Sequence, residues 1–358
     1  IAPQLLSITA ESSNQRHATS QTLLLAFSKP VLGLDPTDLT LTATGSSSGA
    51  PVPAGQISGL VPINPASNGA ASQFRLSLAG IEGEGTFTVA LKASNTAIGD
   101  GAGNALTAST ATTAITGSLS VDTVAPEAPS VDPIGWDHTL NASESSDPNG
   151  VSLSGRSSGI EAAQTISLSI SSDTSTTNTS NNTASTPLLT VQAAVGADGR
   201  WSTTLSPTQL AALTDGDYIL TTAAADAAGN AAPAASQRFR IDRTSPTLSN
   251  PVGDSTTNPL LADGVLNLTE LTDLSTLVIS GSSDAEDGQV ITLQLGDERL
   301  SSTIASGTWQ FELPADSFSE LDDGTLDLHL DLTDRAGNRS NVDAVSYTHL
   351  TLPTILLV

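Results

Sequence analysis

Asp-x-Ala-Gly-Asn occurs three times in the chain, as Asp100 to Asn104, Asp226 to Asn230 and Asp334 to Asn338. A turn signal that returns at intervals of roughly 110–125 residues marks tandem modules of ordinary domain size. A second signature separates them: Val121-Asp122-Thr123-Val124-Ala125-Pro126, then Ile241-Asp242-Arg243-Thr244-Ser245-Pro246. The last two units agree in detail. Trp201 stands 15 residues before Gly216, and Trp309 stands 15 before Gly324; Gly216 and Gly324 each precede the glycine of the Asp-x-Ala-Gly-Asn turn by 13. Leu153-Ser154-Gly155 answers Ile279-Ser280-Gly281, with Glu161 and Asp287 each six residues beyond the glycine. The spacing from that glycine to the tryptophan is 46 residues in one unit and 28 in the other, and a Ser/Thr/Asn run at residues 171–190 reads as the loop insertion responsible.

Within each unit the apolar pattern has period two. Thr325-Leu326-Asp327-Leu328-His329-Leu330-Asp331-Leu332 alternates, as do Val290 to Leu295 and Gln237 to Asp242. Such alternation predicts antiparallel strands with one face buried and one wet. About seven such strands per unit, divided by Gly, Asp, Asn and Pro turns, are the pattern of an Ig-like sandwich. The expectation is therefore an all-β chain of three tandem Ig-like antiparallel β-sandwiches in an elongated array. Its modules are residues 1–125 (a divergent subtype without the tryptophan strand), 126–246 (with the insertion) and 247–345. Residues 208–213 read as a helical turn at a strand corner. Residues 346–358 lack the expected second Asp-x-Thr-x-Pro and resemble translated sequencing-adapter read-through, so they are expected to be a non-native tail.

Composition narrows function. The 358 residues carry a net charge of −25 with two lysines, Lys29 and Lys92. Such a surface repels phosphate backbones and anionic headgroups, which argues against nucleic acid and membrane surfaces as partners. No apolar run reaches the roughly 18–20 residues that span a bilayer, so no membrane insertion is expected. Cysteine is absent, and so is methionine even at position 1; disulfides and thiolate metal sites are excluded, and the chain reads as an interior piece of a longer protein.

Catalysis finds no support. The four histidines, His17, His138, His329 and His349, are scattered, no Gly-x-Ser-x-Gly elbow frames a serine, and no glycine-rich loop opens a helix to seat a nucleotide. No enzymatic activity is expected. Trp201 and Trp309 recur at one repeat position and read as core; Trp136 stands apart as a candidate ligand or junction contact.

The run Trp201, Asp215-Gly216-Asp217-Tyr218, Asp226 to Asn230 and Ile241 to Pro246 resembles the bacterial Ig-like repeats of giant secreted adhesins. The likeness covers residues 126–345 well and residues 1–125 more weakly. It implies an extender region at the bacterial cell surface or in the extracellular space, supporting adhesion or biofilm formation. Its partners would be neighbouring Ig-like repeats of the same chain, and a surface ligand held by terminal domains outside this chain. It also implies calcium at the domain junctions. Calcium needs six to eight oxygen ligands, and Asp100, Asp122, Asp226, Asp242, Asp287 and Asp334 are the candidates. Residues 246–345 hold 18 acidic and three basic residues, with dense clusters at 284–287 and 322–323. Turn chemistry alone is the competing explanation, because an aspartate before Ala-Gly-Asn also caps a tight turn. Two carboxylates about 4 Å apart repel by around 4 kcal/mol at an effective dielectric of 20, so a cation at a joint would stiffen it. The alternative function is an accessory carbohydrate-binding or spacer region of a secreted polysaccharide hydrolase.

Overall fold

A computed structural model describes residues 1–11, 16–46, 51–92, 97–106, 115–135, 137–173, 186–249, 265–267, 276–296, 298–314 and 324–349. It is almost entirely strand, in three successive sandwiches, each closing on its own apolar cluster. The all-β expectation and its tandem organisation hold.

In the first module one sheet runs Leu5–Ala10, Ser20–Leu32, Ala71–Glu82, Ala54–Ile63, and the other runs Leu39–Gly45, Glu84–Leu91, Thr116–Asp122. In the second, a five-stranded sheet (Thr139–Leu140, Ser236–Ile241, Gly216–Ala223, Thr165–Ser172, Leu189–Ala194) faces a three-stranded one (Arg200–Leu205, Val151–Arg156, Ser130–Val131). The third repeats this plan: Val265–Asn267, Arg339–His349, Gly324–Thr333, Val290–Leu295 and Glu298–Thr303 oppose Thr276–Ser282 and Thr308–Pro314. Both later modules contain one parallel pairing, Thr139–Leu140 with Arg240 and Ile241, and Val265–Asn267 with Tyr347 to His349. The repeat read from spacing is thus a repeat of topology.

Alternation does what it predicts. Along Thr165–Ser172 the buried residues are Ile166, Leu168 and Ile170, and Leu328, Leu330 and Leu332 are buried along Gly324–Thr333. Pro207–Ala211 is the helical turn anticipated at residues 208–213; Ser206 and Gln209 form its reciprocal cap, which satisfies backbone donors that a short helix would otherwise leave open. Of the expected insertion, residues 171–172 end the strand Thr165–Ser172 and residues 189–190 begin Leu189–Ala194, while residues 174–185 lie outside the described residues. Ser346 to His349, expected from the sequence to belong to the tail, continue the backbone ladder of Arg339–His349 against Gly324–Thr333; residues 350–358 lie outside the described residues.

The recurring glycine and tryptophan are one device. Gly155 faces Trp201 across the ladder and Gly281 faces Trp309. A Cβ on Gly155 would stand 2.5 Å from Trp201 Cζ2 and 1.9 Å from the Ser130 carbonyl oxygen; on Gly281 it would stand 2.2 Å from Trp309 Cζ2. The indole lies flat over the strand only because that strand has no side chain there, and both tryptophans are 2% exposed. Tyr218, buried against Phe239 with ring centroids 5.6 Å apart, donates its hydroxyl to the Thr214 carbonyl at 2.6 Å. This back-bond at the start of a strand is the tyrosine corner of Ig-like sandwiches.

Gly155→Ala is expected to destabilise the second module by about 1–3 kcal/mol through overpacking, read as a lower denaturant midpoint for that module's transition. Gly281→Ala is expected to do the same to the third, and an unchanged midpoint in both would show that the indoles do not depend on the glycines.

Candidate functional site

The three Asp-x-Ala-Gly-Asn turns have one geometry, set by a carboxylate that accepts from its own turn. Asp226 Oδ1 accepts the backbone N–H groups of Ala228, Gly229 and Asn230 at 2.9, 2.8 and 2.8 Å, and Asn230 Nδ2 donates to Asp226 Oδ2 at 2.8 Å. Asp100 and Asp334 hold Asn104 and Asn338 in the same way. Each turn also closes through a backbone pair, aspartate N–H to asparagine carbonyl and glycine N–H to aspartate carbonyl. The glycine takes a positive φ, +80° at Gly103, +100° at Gly229 and +95° at Gly337, which any L side chain would resist.

Two of the turns lie at module boundaries. The second module's turn lies at the pole that meets the first module, and the third module's turn lies at the pole that meets the second. Asn230 Nδ2 donates to the Asp122 carbonyl at 3.0 Å and lies 3.3 Å from Asp122 Oδ1. Asn338 Nδ2 donates to the Asp242 carbonyl at 2.9 Å, and Asn338 Oδ1 accepts from Ala142 N–H at 2.9 Å. Two junctions are therefore built from the same parts: the aspartate at the exit of one module's last strand, Asp122 ending it and Asp242 following it, and the asparagine of the next module's turn.

The flanks differ. At the first junction His17 Nδ1 donates to the Ala228 carbonyl at 2.7 Å, and Gly229 lies so close to the His17 ring that a Cβ would come within 3.1 Å. At the second, Asn141 takes the histidine's place, 2.9 Å from where a Gly337 Cβ would be. Glu161 Oε2 accepts Ala227 N–H at 2.8 Å, and Glu286 Oε2 accepts Arg335 N–H at 3.2 Å. The residue answering Glu161 at the turn is thus Glu286; its neighbour Asp287 is exposed. Residues 322–323 lie outside the described residues.

Both linkers are tied at each end. Thr123 bonds Gly83 through its N–H and its hydroxyl, and Glu127 N–H reaches the Ser158 carbonyl. In the second linker Arg243 N–H and the Thr244 hydroxyl donate to Asp215 at 2.9 and 3.0 Å, while the Arg243 guanidinium reaches the Leu210 and Leu213 carbonyls. Thr247 N–H then donates to Asp284 Oδ1 at 2.5 Å and Ser283 Oγ to the Thr247 carbonyl at 2.6 Å, leaving Ser245 and Pro246 between the anchors.

Carboxylates outnumber the one cation, Arg16, that acts on Asp122 at the first junction. Asp122 is 6% exposed, as is Asp226, and Glu84 faces Asp122 across the ladder. Burial, with the Asp226 and Glu84 carboxylates adding to it, raises the Asp122 pKa above the ordinary aspartate value, against the Val124 N–H and the Arg16 charge. Asp100 behaves oppositely: the Asn104 side chain and N–H, the Ala102 N–H and Lys29 lower it. Among the described residues no three acidic or histidine side chains converge closely enough to hold a metal ion. The donor chemistry nevertheless suits a hard cation, since the Asp122 carbonyl, Asp122 Oδ1 and Asp226 Oδ2 surround one point at 2.8–3.3 Å, occupied by the Asn230 amide nitrogen. Rotating that carboxamide by half a turn would add a fourth oxygen. Of the candidate ligands, the structure brings Asp122 and Asp226 together and sets Asp242 beside Asn338 and Asp334; Asp100 stands alone at the first module's leading pole. The sequence reading missed Asn230, Asn338 and His17, although the asparagine is present in every copy of the repeat.

Two outcomes are expected. Asn230→Ala and Asn104→Ala both lose a bond within the turn, worth about 1 kcal/mol of module stability, but Asn230→Ala alone loses the bond across a junction. Small-angle scattering should show a wider spread of particle lengths for Asn230→Ala and none for Asn104→Ala. A pKa raised in the closed junction means that Asp122 favours closure below about pH 4 and that this contribution is lost as pH rises through the raised value. In chelator, scattering should therefore report a looser first junction at pH 7 than near pH 3.5, a change that Asp122→Asn abolishes.

Residues 125–243 and 245–349 match the bacterial Ig-like domain family. No curated protein matches the chain significantly. Among solved structures, the chain is similar to part of a 1.5-MDa bacterial ice-binding adhesin (19% identity, TM-score 0.39, covering 98% of this chain and 99% of that one). It is similar also to a Ca2+-stabilized adhesin with which an Antarctic bacterium binds ice (21%, TM-score 0.37, 96% and 74%), and to a tetra-tandem repeat from the extending region of a large adhesion protein (20%, TM-score 0.30, 97% and 74%). With both later modules matched, over more than half of its length, the chain belongs to the bacterial Ig-like domain family.

Proposed function

We propose that the chain is the extender region of a bacterial surface adhesin, a non-catalytic spacer whose junctions are stiffened by calcium and which supports adhesion or biofilm formation outside the cell. The observation carrying this reading is the pair of junctions assembled from one set of parts, the aspartate at the last strand's exit and the next module's asparagine. A protein whose modules meet through a repeated contact propagates one geometry along its length, and that is what a spacer requires. The described tryptophans weigh against the polysaccharide-hydrolase accessory reading: Trp201 and Trp309 are buried and offer no face to a sugar, and Trp136 lies outside the described residues.

Calcium at these junctions would neutralise Asp122 with Asp226, and Asp242 with Asp334, using backbone carbonyls, carboxylates and the asparagine side chain as oxygen donors. Asp100 and Asp287 are the weaker candidates, because neither faces a second carboxylate across a junction. Calorimetric titration with calcium, paired with small-angle scattering in calcium and in chelator, tests the reading. Binding with a longer and stiffer particle is expected, and Asp122→Asn together with Asp242→Asn should remove both the heat and the stiffening. An absence of heat in the unmodified chain would reduce the reading to a spacer held by hydrogen bonds alone.

A further inference from the structure

The two junctions share their parts but not their counter-charges. At the first, Asp122 ends its strand opposite Glu84, and Asp226 lies on the far side of the Asn230 amide. The cation acting on Asp122 there is Arg16. The second junction sets an arginine against each corresponding carboxylate of the outgoing module. The ladder that pairs Gly216 with Ile241 brings Asp215 opposite Asp242, in the place of Glu84. Arg243 lies 3.1 Å from Asp215 Oδ1, and Arg240 Nε lies 3.6 Å from Asp242 Oδ2, with its Nη1 3.6 Å from Asp217 Oδ1. Counted from the aspartate, the same two positions in the first module are Ser120 and Thr123. The carboxamides differ to match. Asn338 is held at both ends, donating to the Asp242 carbonyl and Asp334 and accepting from Ala142 N–H. Asn230 Nδ2 stands 3.3 Å from a second Asp122 oxygen, and among the described residues nothing donates to its Oδ1.

We propose that Arg240 and Arg243 are the second junction's own counter-ions, doing there what a divalent cation does at the first. Calcium then governs the shape of the first junction, and the second stays closed without it. The inference rests on the calcium reading of the first junction. Exposed ion pairs add little attraction of their own, and the Arg240 side chain is 55% exposed. Arg243, 24% exposed, is the less screened of the two. What the arginines remove is the repulsion among carboxylates that would push the two modules apart.

The chain has no cysteine, so one introduced pair at a time can carry dyes across either junction of the full chain. Energy transfer is read in calcium and in chelator. In the parent, chelator is expected to lower transfer across the first junction and leave the second unchanged. Giving the second junction the first module's residues, Arg240→Ser with Arg243→Thr, should make its transfer fall in chelator and recover in calcium. Arg240→Ser alone, which keeps the Arg243 bonds to the Leu210 and Leu213 carbonyls, should give a smaller loss of the same kind. A parent second junction that opens in chelator as far as the first would overturn the proposal, and so would a doubly substituted one that stays closed. A second junction that stays open in calcium in both variants would assign the arginines to holding the linker and overturn their role as counter-ions. A parent first junction indifferent to chelator would instead sink the calcium reading, while the arginines would still be judged by variant against parent in chelator.

Discussion

A charged side chain bonding to its own backbone underlies everything that joins these modules. A carboxylate taken out of water is costly unless its lone pairs are filled, and Asp226 fills them with three amide N–H groups from the next four residues and one carboxamide. Hydrogen bonds to an ionised acceptor are the stronger sort, so the turn is rigid before any neighbour arrives. That rigidity fixes the asparagine, whose amide bonds the turn aspartate and also the neighbouring module. Because the strand leading to Asp122 or Asp242 brings a carbonyl to that amide, the contact needs no rearrangement on either side.

The linkers extend the same logic. A proline-containing segment between domains usually acts as a semi-rigid spacer, but here most of each linker is also tied down. The Arg243 guanidinium closes over the carbonyls at the end of the helical turn Pro207–Ala211, and Asp215 takes up the next two donors. The small helix at a strand corner is thereby an anchor for the chain that leaves the module.

Much of this was legible in the sequence, because period-two alternation and repeated spacing report directly on strands and on modules. Gly155 with Trp201, and Gly281 with Trp309, were visible as recurring letters, yet their meaning was not: only the ladder register shows that the indole lies over the glycine. The aspartates were legible as turn or junction residues for the same reason that they remained ambiguous, since one residue serves both purposes at once. Asn230 and Asn338 were overlooked because an asparagine that closes its own turn onto the aspartate has a sufficient local explanation, and its second bond matters only once the neighbouring module is in place. Glu286 rather than Asp287 meets the third turn because the approach to the strand Val290–Leu295 is one residue shorter from its glycine than the corresponding approach in the second module, a difference that residue counting cannot resolve between adjacent acids.

The parallel pairing of Thr139–Leu140 with Arg240 and Ile241 bears on how such a chain carries load. The two segments belong to opposite ends of the module, one following the incoming linker and the other preceding Asp242. Tension drawn along the chain pulls them in opposite directions past one another, so their hydrogen bonds are sheared together instead of being peeled apart in sequence. A module wired this way backs the antiparallel pairing of Ser130–Val131, which meets the load first, with a second pairing that must be sheared. The third module, with Val265–Asn267 beside Tyr347 to His349, is wired the same way.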